Sequence, residues 1–191
     1  STAGAAAYIR TARARGVRAT CETAPHYFLL TQELIRKEDA DYRMNPPLRE
    51  EADVEAIRAA VADGTIDCIV TDHAPHTAEE KADFRKAPNG VVGLETSFAA
   101  SYTGLVKTGI ISLNRLVELM SVNPARILGI PGGHIRPGDP ADLVLADLDR
   151  TWVVEPEKLR SKSKNTVFKG MELTGKPVCT FCGGKLVYTC E

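Results

Sequence analysis

The chain has 191 residues, 43% of them hydrophobic and 26% charged, a balance that suits a globular protein with a buried core and excludes wholesale disorder. With 24 basic and 25 acidic residues the net charge is -1, so no global field draws it to nucleic acid or to an anionic membrane surface. No run approaches the roughly 18 apolar residues of a membrane span, and five irregularly spaced cysteines do not make a disulfide framework, so a cytoplasmic protein with reduced thiols is expected.

Residues 4–15, rich in Ala and Arg and ending at Gly16, predict a helix closed by a glycine cap, with Arg10, Arg13 and Arg15 on its solvated face. Residues 17–24 read as a strand ending at Pro25. Glu50 to Ala62 predicts a second helix, with Val54, Ile57, Ala60 and Val61 on one face and Asp63-Gly64 ending it. Residues 66–70 then have the character of a buried strand. The order helix, strand, loop, helix, strand is the signature of parallel βαβ units, in which ligands gather beyond the C-terminal ends of the strands. His26 and Asp72 both fall there.

Further helices are predicted at Glu95 to Lys107 and Leu113 to Met120. From Ala141 the pattern changes to short β-like runs at 143–145, 152–154, 166–168, 178–181 and 185–188, separated by Pro, Gly and charged residues. These predict a small all-β unit with its boundary near residues 130–141. The chain opens without Met, on residues that read as a loop and a helix start, as though cut from something longer.

The densest chemistry is Thr71-Asp72-His73-Ala74-Pro75-His76. A carboxylate just past an apolar strand can bind a divalent cation or serve as a general acid/base, and histidines suit zinc or an anionic substrate. The same spacing also fits an Asp capping a turn beside two solvated histidines.

This run resembles the dihydroorotase signature of the amidohydrolase superfamily, and further matches follow in that family's order. They are Cys21-Glu22-Thr23-Ala24-Pro25-His26-Tyr27, Met44-Asn45-Pro46-Pro47-Leu48-Arg49, Gly90-Val91-Val92-Gly93-Leu94-Glu95-Thr96, Asn123-Pro124-Ala125 and Gly138-Asp139-Pro140-Ala141-Asp142-Leu143-Val144. The resemblance implies an α/β fold, the C-terminal part of a (β/α)8 metal-dependent hydrolase barrel over residues 1–130. Part of a small β-sandwich would follow over residues 131–191.

It implies zinc-dependent, reversible hydrolysis of the cyclic amide of dihydroorotate to N-carbamoyl aspartate, a step of pyrimidine biosynthesis. Asp72 matches the family's Asp at the end of the eighth strand, both a metal ligand and the group that moves the proton. Asn45 and His76 match positions that hold the substrate, and Asn89 and Gly90 match a loop whose backbone meets it. Without the resemblance, Asn45 reads as a turn residue before Pro46-Pro47, and Asn89-Gly90 as a common turn dipeptide in a loop about a residue shorter than the family's.

His26 looks like a ligand but matches no ligand position of the family, whose metal-binding histidines come from earlier strands. A structural or outer-shell role is expected for it and for His73, and His134 has no chemical partner nearby in sequence. Cys179 and Cys182 form a C-x-x-C with Cys190 further on, but no second pair completes a zinc site. The family's His-x-His, its bridging acidic or carboxylated Lys ligand and its further histidines match nothing here. The one or two zinc ions would take most ligands from outside these residues, and the chain is expected to be inactive without the missing N-terminal half of the barrel.

A homo-oligomer and aspartate carbamoyltransferase are the protein partners the resemblance suggests, with no nucleic acid and no membrane. The rival readings are an allantoinase or dihydropyrimidinase, from which Ala74-Pro75-His76 separates the chain, and a non-catalytic homologue that scaffolds aspartate carbamoyltransferase. A scaffold has no chemical need for Asp72, Asn45 and His76.

Overall fold

In the computed structural model, which describes residues 1–190, helix α1 (Ala3–Ala14) opens on Thr2, whose Oγ1 accepts the Ala5 amide at 3.2 Å. Gly16, with φ of 81°, follows its end, as the sequence predicts. Strand β1 (Glu22–Thr23) runs directly into α2 (Pro25–Leu29), a short helix with Pro in its first turn. Helix α3 (Glu51–Ala62) carries Glu51 and Asp53 at its positive end and buries the predicted face of Val54, Ile57, Ala60 and Val61. Near its start Asp53 accepts the Ala3 amide at 2.8 Å, and near its end Asp63 pairs with Arg10 at 2.7 Å, so α1 and α3 lie side by side and parallel.

Strand β2 (Cys68–Ile69) pairs in parallel with β1, Glu22 opposite Cys68 and Thr23 opposite Ile69. Both strands are shorter than the sequence predicts, and at their entry side chains bond the backbone beside the Asp67 amide, which donates to the Cys21 carbonyl at 2.9 Å. Arg13 Nε donates to the Ala19 carbonyl at 2.9 Å, and the Asp67 carboxylate accepts the Cys21 amide at 2.8 Å. Arg13 is therefore no solvated helix residue: it also bonds the Thr65 carbonyl at 2.8 Å and pairs with Asp67.

Helix α4 (Ser97–Ser101) continues through wider π-helical turns to Val106. Helix α5 (Leu113–Val117), capped by Ser112, continues through a π-helical segment, Glu118–Val122, into α6 (Asn123–Leu128), so the segment expected to end at Met120 runs two turns further. Pro124 is tolerated because it falls in the first turn of α6. Strands β3 (Leu143–Val153), β4 (Glu172–Cys182) and β5 (Lys185–Thr189) form an antiparallel sheet in that order. The run at 166–168 is a buried turn rather than a strand, with Thr166 Oγ1 accepting the Phe168 amide at 3.2 Å. No described helix is long and apolar enough to cross a membrane.

Two apolar clusters hold these elements. Phe28, Ile57, Val61, Ile66, Leu105, Leu116 and Leu119 fill the space among α2, α3, α5 and the helical turns beside them. Leu30, Met44, Leu48, Val91 and Ala99 meet Val154, Val167, Phe168 and Leu173, so the segment between β3 and β4 shares a core with the α/β part.

His26 belongs to this interior. It is 1% exposed, stacks edge-on against Tyr27 at 4.1 Å, and its Nε2 has no hydrogen-bond partner. Burial pushes its pKa from 6.5 down to about 4. The unfolded chain thus takes up this proton before the folded one does. The His26 contribution is complete above pH 6.5 and is lost as pH falls towards 4, with a limit of about 3 kcal/mol. Urea midpoints measured across that window should fall with pH, and His26→Phe should flatten the slope; an unchanged slope would refute the neutral buried imidazole.

Candidate active site

The chain leaving β2 turns sharply at Asp72, which among the described residues is the one non-glycine with positive φ, at 50°. Asp tolerates this left-handed conformation better than most residues because its side chain is short and polar. Its carboxylate is exposed and forms no hydrogen bond or ion pair with any described residue. The phenol of Tyr27 feels that charge: burial first, and Asp72 second, hold it protonated far above its ordinary range, against the pull of Arg49. Tyr27 in turn donates to the Pro46 carbonyl at 2.8 Å, which brings Asn45-Pro46 alongside. Asn45 is exposed.

Residues 90–93 lie against residues 71–76. Val91 pairs with His73 in a single parallel bridge, and the Ala74 amide donates to the Val91 carbonyl at 2.8 Å. Glycine is required on both sides of that bridge. A Cβ on Gly90, where φ is 133°, would lie 2.3 Å from Ala74 Cβ and 3.2 Å from His76 Nε2. A Cβ on Gly93 would lie 2.9 Å from the Thr71 carbonyl oxygen.

His76 Nε2 lies 3.1 Å from the Asn89 carbonyl, which makes this nitrogen the N–H donor, while Nδ1 stands 3.6 Å from the Glu80 carboxylate. Arg43 Nε donates to Asn89 Oδ1 at 3.3 Å, and the Gly90 amide donates to the Arg43 carbonyl at 2.9 Å. His76, Asn89 and Gly90 therefore form one cluster, reached by Arg43 two residues before Asn45. Asp72 shares no hydrogen bond or ion pair with any of them. His73 turns its Nδ1 to the Gly93 and Leu94 amides, at 3.1 and 3.4 Å, and so bonds backbone.

Three structural contributors escape a sequence reading. Lys81, whose ammonium burial pulls below its usual range, donates to the carbonyls of Ala40 at 3.0 Å and Pro88 at 2.9 Å and so closes the loop between His76 and Asn89. Glu95 accepts the Arg160 and Ser161 amides at 2.8 and 2.9 Å. Asn165, 5% exposed, bonds Ala74, His76 and Gly90 through its side chain. Asn165 sits at the end of a polar stretch, after Ser161-Lys162-Ser163-Lys164 and before Thr166, so no periodicity marks it as buried and the sequence offers no signal for it.

Asp72 fits one position of a metal's coordination shell: it is an open carboxylate at the C-terminal end of a parallel strand, with no protein donor competing for it. No three His, Cys, Asp or Glu side chains converge on a cation site among the described residues, so the other positions of a four-coordinate zinc are not filled from them. Cys179 and Cys182 lie on β4 without a disulfide.

Residues 3–187 match the model of the amidohydrolase family. A dihydroorotase from Geobacter sp. (strain M21) is 52% identical over 189 residues, which are 98% of this chain and 44% of that protein. One from Syntrophus aciditrophicus (strain SB) is 49% identical over the same share of each. The chain thus spans less than half the length of the curated relatives it matches. Among solved structures, the L-hydantoinase (dihydropyrimidinase) from Arthrobacter aurescens superposes with a TM-score of 0.92 at 34% identity, covering 99% of this chain and 43% of its own. The dihydropyrimidinase from Brevibacillus agri NCHU1002 gives the same TM-score at 30% identity over the same shares.

The close approach at Gly90 is testable by stability. Gly90→Ala should cost about 2–4 kcal/mol, combining backbone strain with a steric clash. Gly109→Ala, also at positive φ but with nothing within 4 Å, should cost only about 1–2 kcal/mol. Equal losses in chemical denaturation would refute the packing argument.

Proposed function

The chain belongs to the amidohydrolase family, and from that premise we propose that it is the C-terminal part of a dihydroorotase, hydrolysing the cyclic amide of dihydroorotate to N-carbamoyl aspartate and closing it in reverse. The observation that carries this reading is the unpartnered Asp72 carboxylate at the end of β2, beside the cluster of His76, Asn89 and Gly90. The parallel pairing of β1 and β2 around α3 supports assignment of residues 1–130 to the last part of a (β/α)8 barrel. The antiparallel sheet of β3 to β5 supports a sandwich segment over residues 131–191.

Zinc, when bound, supplies the Lewis acidity that makes a nucleophile available near neutral pH, and Asp72 is the residue of this chain that would hold it. The remaining ligands come from outside these residues. Asp72 also takes the proton of the attacking water and passes it to the departing ring nitrogen, the transfer that amide cleavage demands. Its backbone is left-handed there, and no described donor bonds the carboxylate.

Asn45 offers an amide donor to the carboxylate that distinguishes dihydroorotate from uncharged cyclic amides, and His76 offers its Nε2–H when that N–H exchanges the Asn89 carbonyl for the substrate. Before that exchange the His76 ring is steadied by the Asn89 carbonyl. Gly90, pressed against Ala74, keeps the backbone of its loop within reach of the ring.

The likeness to hydantoinases favours a second reading, hydrolysis of an uncharged cyclic ureide, but the identity of 52% to dihydroorotases against 34% to the hydantoinase weighs against it. Assay of the full-length protein against dihydroorotate, allantoin and dihydrouracil separates the two, with dihydroorotate the expected substrate. Asp72→Asn should lower kcat by about 10³-fold or more, because it removes the proton acceptor. A preference for dihydrouracil, or full activity in D72N, would overturn the proposal.

A further inference from the structure

We infer that Asn165 is a positioning residue for substrate binding, a latch from the segment between β3 and β4 that sets the distance between the two loops carrying His76 and Asn89-Gly90. This rests on the dihydroorotase reading of those loops. The side chain is nearly sealed from solvent, and both its amide N–H groups and its oxygen are bonded. Nδ2 donates to the Ala74 carbonyl at 3.2 Å and to the Gly90 carbonyl at 3.1 Å, and Oδ1 accepts the His76 amide at 3.2 Å. Its backbone carbonyl accepts the Val92 amide at 2.9 Å.

One residue thus joins the backbone on both sides of the 73–91 bridge. A planar amide is the group that fits: it presents two donors on one edge to two carbonyls and an acceptor on the other to an N–H. Buried bonds of this kind are costly to leave half made. Asp72 lies outside the latch, since the turn there is supported by β2 and by the approach of Gly93 to Thr71. Asn165 therefore acts on how substrate is held, while the proton transfer assigned to Asp72 is left in place.

Asn165→Asp is nearly isosteric and keeps the acceptor for His76 but sets a carboxylate against two carbonyls, whereas Asn165→Ala removes all three side-chain bonds. Both are made in the full-length zinc enzyme. Amide hydrogen exchange across 74–77 and 89–93 should rise about tenfold or more in each variant, with no rise at 51–62, the control helix. For dihydroorotate, KM should rise about 10–100-fold with kcat within about threefold and zinc content unchanged. Because Asn165 acts through the His76 loop, adding Asn165→Asp to His76→Ala should raise KM by much less than it does alone.

Unchanged exchange in the two loops overturns the latch. Faster exchange with unchanged KM, KM effects that multiply with those of His76→Ala, or loss of zinc together with kcat overturns the positioning role. If the wild-type protein does not hydrolyse dihydroorotate, the activity reading falls by itself, and the exchange result still decides whether Asn165 ties the loops.

Discussion

The contact on which the rest of the site depends is the approach of residues 90–93 to residues 71–76. Two backbones come close enough there that a single added carbon on Gly90 or Gly93 would collide with the other strand. Between those glycines, one short parallel bridge fixes His73 against Val91. Everything that makes the region chemically interesting follows from this spacing. His76 reaches the Asn89 carbonyl only because nothing projects from Gly90, and the turn at Asp72 is backed by the fit of Gly93 beneath Thr71.

That spacing is maintained from a distance in sequence. Asn165 bonds both strands of the bridge, and Glu95, just past it, accepts two amides at residues 160–161. Apolar packing follows the same route, since Val154, Val167, Phe168 and Leu173 share a core with Met44, Leu48 and Val91. The segment between β3 and β4 is thus part of the wall behind the candidate site. Buried polar groups supply direction and apolar contacts supply most of the cohesion, because a hydrogen bond contributes little net free energy but is specific in geometry.

Much of this was legible in the sequence where a repeating pattern or a motif carried it. The face of α3 follows from helical period, and the βαβ order follows from alternating helical and apolar runs. The cluster of His76, Asn89 and Gly90 follows from motif resemblance, although the motif does not give the reason for its glycines. The misread parts are those where tertiary bonds override local pattern. Arg13 is spaced like a surface charge but ties α1 to the chain entering both strands. The helix predicted to end at Met120 goes on, through a π-helical segment into α6. Residues 166–168 are buried without being paired in a sheet, so the β-like run Thr166-Val167-Phe168 marks an interior turn. Asn165 leaves no trace in period or motif, since its partners are backbone atoms whose identities the sequence does not display.

The backbone at Asp72 narrows the choice of residue there from a direction independent of chemistry. A left-handed turn at that point excludes β-branched and bulky side chains and leaves glycine, asparagine and aspartate as the inexpensive occupants. Of these three, only aspartate carries a negative charge. Glutamate, chemically its nearest substitute, would add backbone strain and carry its carboxylate one methylene further out. Conformation and charge thus converge on the same amino acid, and neither requirement can be met by relaxing the other.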